Sequence, residues 1–236
     1  MSAAGLLIVA TKCNQPSRAD EWEAWYDDVH LPDLLDDWDG DGPSVATRWA
    51  LSRQPEPGMP GIGFTHVTIY EFTDDVVGRA RLLAERQAQL HADGRVHPTH
   101  SVVDAAVFVA HGTFTSKPEP SAALRGHILA HVFPNDPDLE AEWDAWYDAQ
   151  HVPDMMASDA FTAATRWRRE PRRTVGPNHL TLYDVGLDSI DEAVARSAAV
   201  MPDLIAAGRK HRAHTGAMTL TLVPSGRYAG AGYRAS

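Results

Sequence analysis

Along residues 5–13, "GLLIVATKC", apolar residues run almost unbroken between polar neighbours, the pattern of a short strand buried on both faces. Residues 19–38 change period. Trp22, Trp25, Tyr26 and Val29 fall at helical spacing, with Glu23, Asp27 and Asp28 on the opposite side. Asp20 can cap this helix, and acidic side chains suit its first turn. Residues 44–53 and 62–72 read as strands joined by the Pro/Gly-rich "QPEPGMPGIG", residues 75–91 predict a second helix, and 101–111 a last strand. The order β-α-β-β-α-β is the split βαβ arrangement of ferredoxin-like folds.

This pattern is written twice. "EWEAWYDDVHLPD" (21–33) and "EWDAWYDAQHVPD" (142–154) are identical at nine of thirteen positions. "GLLIVATKC" aligns with "GHILAHVFP" (126–134), "ATRW" recurs at 46–49 and 164–167, "FTHVTIYEF" (64–72) answers "PNHLTLYDV" (177–185), and "HPTH" (97–100) answers "HRAH" (211–214). Blocks kept in one order at domain-sized spacing indicate an internal duplication, not a solenoid. The expected organisation is a first repeat over 1–114, a linker "TSKPEPSAAL" over 115–124, a second repeat over 125–228 and a loose tail over 229–236. A four-stranded antiparallel sheet with both helices on one side leaves its other face bare. Two copies can bury those faces against each other, so the predicted fold class is α+β: two ferredoxin-like repeats pairing their sheets into one intrachain α/β barrel.

Composition narrows the partners. The chain has 236 residues, 44% hydrophobic, enough for two cores, and a formal net charge of -11. That charge argues against nucleic acid or an anionic membrane, which select clustered Lys and Arg. The basic run "RWRREPRR" (166–173) reads as a solvated turn. One cysteine, Cys13, excludes an internal disulfide. No apolar run approaches the roughly 18 residues of a membrane span, and "GLLIVA" lacks the basic region of a signal peptide, so the chain reads as soluble and cytoplasmic.

Strand parity locates candidate chemistry. In "THVTIYEF", Val67 and Ile69 point one way and His66, Thr68 and Tyr70 the other; Leu180 and Leu182 oppose His179, Thr181 and Tyr183 in the second copy. The His/Thr/Tyr face should lie beneath the helices, as a satisfied network or the wall of a pocket. His30 follows Tyr26 by one turn, and Pro32 should end or bend the helix there, freeing carbonyls that could set the imidazole tautomer. "HPTH" reads as a loop with His97 exposed and His100 partly buried. It offers two metal ligands, and a third would have to come from His30 or His66, so no metal site is assigned. Four histidine pairs recur, His30/His151, His66/His179, His97/His211 and His100/His214, which is eight of the twelve histidines.

"EWEAWYDDVHLPD" resembles the helix motif of EthD-type proteins, while "GFTHVTIYEF" and "HPTH" resemble the strand histidine and His-Pro-x-His turn of stress-responsive α/β-barrel proteins, including polyketide cyclases. Both groups belong to the dimeric α/β-barrel superfamily. The resemblance spans nearly both repeats and implies that His66 and His100 act on a carbonyl substrate without a cofactor. The second repeat departs from it at Arg212, which replaces the proline, and at Asn178, which replaces Thr65.

The expectation is therefore a cofactor-independent enzyme using histidine acid/base chemistry on an activated carbonyl compound: a cyclase, dehydratase or lactone isomerase. The candidate catalytic residues are His66 or His100 as base, His30, and Tyr26 or Tyr70 as donor to an enolate oxygen, with His179, His214 and His151 as their second-repeat counterparts. Trp25, Trp49, Arg48 and Thr68 are the candidate substrate-binding residues. The expected partner is a small aromatic or polyketide-like molecule, and homo-oligomers are open. The alternatives are a cofactor-free monooxygenase and a non-catalytic barrel binding a small ligand, a metal or heme through His30, His66 or His100.

Overall fold

The computed structural model describes residues 3–36, 38, 42–53, 62–112, 115–116 and 123–228. The chain forms two compact units, residues 1–109 together with 224–236, and residues 110–223. These boundaries differ from the repeat limits read from sequence. Residues 110–112 go with the second unit, and the segment after Val223 goes with the first. The first two residues of the expected linker, Thr115 and Ser116, pair with Ala164 and Ala163. The expected loose tail, 229–236, lies outside the described residues.

The first unit runs β1 (Gly5–Cys13), α1 (Ala19–Trp25), α2 (Leu31–Leu35), β2 (Val45–Leu51), β3 (His66–Phe72), α3 (Val76–Ala92) and β4 (His100–Ala110). Its antiparallel sheet has the order β4-β1-β3-β2. The second unit runs β5 (Thr115–Ser116), β6 (Gly126–Pro134), α4 (Glu140–Trp146), α5 (Val152–Ala157), β7 (Ala163–Glu170), β8 (His179–Val185), α6 (Ile190–Ala199), α7 (Met201–Ala206) and β9 (His214–Pro224), with sheet order β9-β6-β8-β7-β5. Each unit is ferredoxin-like, as the periodicity predicts. The predicted second helix of the second repeat is broken at Val200, two residues before Pro202, which has no N–H to donate.

The helix predicted over 19–38 is segmented for a reason written in its sequence. Pro32 has no N–H to return to the carbonyl four residues back. The turn Tyr26–His30 widens to a π-helix, with Leu31 N–H donating to Tyr26 O, and the helix resumes to Leu35. Pro32 thus reshapes the helix without ending it, and the same wide turn occupies Tyr147–His151 ahead of Pro153. Asp20 lies inside the first turn and does not cap; Arg18 occupies the cap position.

On β2 and β3, Ala46, Tyr70 and Phe72 join Trp22, Tyr26, Leu31 and Leu34 in one buried cluster under the helices. Arg48 points the same way and is 1% exposed. Its guanidinium donates to Asp27 Oδ1 at 2.6 Å and Glu23 Oε2 at 2.7 Å, and sits 4.0 Å from the Tyr26 ring centroid. In the second unit, Arg166 donates to Asp148 Oδ1 at 2.7 Å and to Asp144, 4.5 Å from the Tyr147 ring. The "RWRREPRR" run is therefore not a solvated turn. Its first half is strand, and Arg166 is buried because α4 and the wide turn after it carry the carboxylates, Asp144 and Asp148, that accept its donors.

A glycine closes over each buried arginine. Gly226 (φ +65°) lies where a Cβ would fall 2.4 Å from Asp27 Oδ2, and Gly112 (φ +72°) where it would fall 2.8 Å from Asp148 Oδ1. Ser225 N–H donates to Arg48 O and Arg227 N–H to Asp27 Oδ2, just as His111 N–H donates to Arg166 O. Removing one partner of a buried charge pair strands the other. Replacing Arg48 with Met is expected to cost about 3 kcal/mol of unfolding free energy, read as a lowered urea midpoint with an unchanged denaturant slope.

Candidate functional site

Between the sheet and α3 of the first unit lies a cavity of about 390 Å³. Leu7, Val9 and Val107 line it from the sheet, and Ala80, Leu83 and Ala84 from α3. Its polar lining is Thr11, Tyr26, His30, Tyr70, Arg81, Gln87 and His100. An adjoining groove shares Ala84, Gln87, His100 and Val102 with it and carries His91, His97 and Ser101, so the approach from solvent is richer in histidine than the interior.

His30 and His100 come together in this cavity from different elements, the π-turn and the start of β4. Their ring centroids are 5.4 Å apart. His30 is packed against Trp25 and Tyr26, both at 4.7 Å. His100 is oriented by a tryptophan, since Trp22 Nε1–H donates to its Nδ1 at 3.2 Å. A neutral imidazole has one N–H. With Nδ1 accepting, Nε2 carries the proton, and this Nε2 is buried without a partner. Burial, reinforced for His100 by His97 and Arg48, lowers the pKa of His30 to about 3 and of His100 to about 4. Both are neutral at pH 7.

Beneath His30, Tyr26 Oη bonds Thr68 Oγ1 at 2.9 Å, and burial raises the pKa of both Tyr26 and Tyr70. Thr68 therefore holds Tyr26 and does not line the cavity.

Three further sequence assignments change. His66 is separated from His100 by Trp22, whose ring lies 5.0 Å from one and 6.1 Å from the other. Both of its nitrogens are engaged, Nε2 with Glu23 at 2.7 Å and Nδ1 with Thr65 Oγ1 at 2.8 Å. It faces the helices, as parity requires, but not the cavity. Trp49 follows Arg48 on a strand and so points to the other face, where its Nε1–H donates to Thr47 Oγ1; it cannot wall this cavity. Arg48 is occupied by two carboxylates and acts structurally. In addition, His97 is buried and not exposed, with Nδ1 bonded to Thr99 Oγ1 at 2.8 Å. Trp25 backs the site, stacked on His30 and 5.3 Å from His100. Sequence reading passed over Thr11, Gln87 and Trp22. Trp22 belongs to the helical apolar stripe, and the signal that could have found it is that a buried indole N–H needs a partner.

The second unit repeats the histidine geometry. His151 and His214 lie 5.2 Å apart, and Trp143 Nε1–H donates to His214 Nδ1 at 3.3 Å. Thr181 supports Tyr147 at 3.0 Å. The surroundings differ: Met155, Met156 and Phe161 pack into this core, and Phe161 stacks on Tyr183 at 4.5 Å. His179, like His66, lies apart from the pair and bonds Glu140 at 2.8 Å.

These depressed values set a pH dependence. An unfolded histidine titrates near 6.5, whereas His30 and His151 titrate at about 3 and His100 and His214 at about 4 in the fold. Below pH 6.5 the unfolded chain binds more protons, so stability falls with pH. The urea midpoint is expected to drop between pH 6.5 and 5, above the range where carboxylates titrate, and His100→Phe is expected to flatten that drop.

No family model and no curated protein matches this chain. Solved structures do. A protein described as a monooxygenase from Fusobacterium nucleatum is 13% identical, each chain being covered over 100%, with a TM-score of 0.55. A variant of DypB from Rhodococcus jostii in complex with heme is 11% identical over 95% of this chain and 94% of its own, with a TM-score of 0.59. An anthrone oxidase-like protein is 11% identical over 94% of this chain and 91% of its own, with a TM-score of 0.51. At such identities the likeness shows the fold, α+β with ferredoxin-like repeats as predicted. It singles out neither EthD proteins nor polyketide cyclases. Among the described residues, no helix is long and apolar enough to cross a membrane.

Proposed function

We propose that the first unit's cavity is the active site of an enzyme that moves a proton on a small, uncharged, aromatic ketone without a cofactor. One observation carries this reading: two neutral imidazoles from separate elements share an apolar cavity, and one presents a buried N–H with no partner. That N–H, His100 Nε2–H, suits a substrate carbonyl oxygen. His30 then takes a proton from the adjacent carbon. The roles differ from those expected from sequence, where His66 or His100 was the base; His100 becomes the donor and His30 the base.

A base with a pKa of about 3 is weak in the empty cavity. Burial lowers that pKa by penalising a lone imidazolium, and an enolate forming beside it supplies the missing counter-charge. Proton transfer thus converts two neutral partners into an ion pair in a dry site, with the enolate oxygen held by His100. Tyr26 and Tyr70, both kept protonated by burial, are further neutral donors. That structurally similar proteins are described as a monooxygenase, a heme-bound DypB variant and an anthrone oxidase-like protein supports an enzyme in general.

Heme does not fit these residues. An axial ligand needs a nitrogen lone pair facing the group, whereas His100 Nε2 carries its proton, His66 has both nitrogens bonded, and His30 is packed between two aromatic rings.

Anthrone is a suitable probe, a flat ketone whose C10–H is acidic. Under nitrogen in D₂O, the chain should accelerate exchange at C10. His30→Ala should lower the rate by ~10²–10⁴-fold and His100→Ala by ~10²–10³-fold, with His66→Ala within a few-fold of the parent. The rate should hold down to about pH 5 and decline toward pH 4, where His100 becomes charged. Loss of exchange in His66→Ala with retention in His30→Ala would refute the assignment. A second reading, cofactor-free monooxygenation, is favoured by the likeness to proteins described as a monooxygenase and as anthrone oxidase-like. It requires that, in air, one O₂ be consumed per anthraquinone and water formed.

A further inference from the structure

We propose that the second unit holds a divalent transition-metal site made by His111, His179 and Asp144, with no counterpart among the described residues of the first unit. One donor atom from each of the three residues lies within 4.8 Å of the others. Donors around a single ion at roughly 2.0–2.2 Å sit about 3–4 Å apart, so small side-chain shifts complete the set. His111 Nε2 is 2.8 Å from Asp144 Oδ2, and His179 Nδ1 is 3.9 Å from Asp144 Oδ1.

The second observation is the state of His179. Its Nε2 is 2.8 Å from Glu140 Oε1, so the N–H belongs to Nε2 and the lone pair to Nδ1. Nδ1 is buried and has no hydrogen-bond partner, and the side chain is 3% exposed. A carboxylate that orients a histidine and leaves the other nitrogen bare is the usual support of a metal-bound imidazole. Asp144 is positioned too. Arg166 holds it together with Asp148, and His111 is tied to the same arginine by its backbone N–H to Arg166 O at 2.9 Å.

Divergence between the repeats produces the site. In the first unit, Thr65 Oγ1 bonds His66 Nδ1 and leaves that ring no free nitrogen. Its counterpart Asn178 turns away to the backbone of Arg173, at 2.7 and 2.9 Å, and so bares His179 Nδ1. Where Ser225 N–H meets Arg48 O, His111 N–H meets Arg166 O. The third ligand is thus a histidine in one unit and a serine in the other. Two imidazoles and one carboxylate leave coordination positions open and suit Zn(II) or Fe(II). The site shares no residue with the first unit's cavity and is independent of the chemistry proposed there.

Untagged full-length chain, stripped with a chelator, would be titrated with Zn²⁺ by calorimetry and with Co²⁺ by visible absorption. One ion per chain is expected. His111→Ser, which installs the first unit's residue and so keeps the fold, should weaken affinity at least 100-fold. Glu140→Gln should weaken it about 10- to 100-fold. Absence of binding in the parent chain, or unchanged affinity in His111→Ser, would overturn the site.

Discussion

Each unit is organised around a guanidinium buried under its first helix. Arg48 and Arg166 are desolvated between carboxylates and tyrosine rings, an arrangement that is stable only if every partner is in place. The demand fixes the helix over the sheet, the facing of Tyr26 and Tyr147, and the approach of the glycine segments at 226 and 112. Histidine placement follows, because His30 and His151 stand on the turn that these tyrosines begin.

Within that frame, proline and tryptophan decide protonation. The π-turn ahead of Pro32 sets His30 beside Tyr26, and Trp22 assigns the His100 proton to Nε2. A hydrogen bond from a core residue therefore determines which nitrogen of a cavity imidazole carries the proton. The same device in the second unit, Trp143 on His214, is surrounded by bulkier packing. One duplicated architecture thus yields a lined cavity in one copy and a half-buried His/carboxylate cluster in the other.

Much of this was legible in the chain. Apolar period and the five repeated blocks dictated two β-α-β-β-α-β units, because burying alternate residues of a strand and one stripe of a helix leaves few other solutions. Parity also placed His66, Thr68 and Tyr70 on the helix side, whereas Arg48 and Trp49, both expected at the substrate, stand on opposite sides of β2. His30 and His100 were legible as candidates through their recurrence.

Tertiary structure decided what local pattern cannot carry. The basic composition of "RWRREPRR" suggested solvent, but Arg166 is buried because carboxylates 18 and 22 residues away along the chain converge on it. His66 and His100 looked equivalent in sequence, yet the Trp22 ring stands between them. The segments beyond Val109 and Val223 join units that adjacency would not assign. Period and propensity act over a few residues, so the sequence by itself determined the elements and their faces. Which side chains meet, and which nitrogen keeps its proton, depends on contacts between residues far apart in the chain.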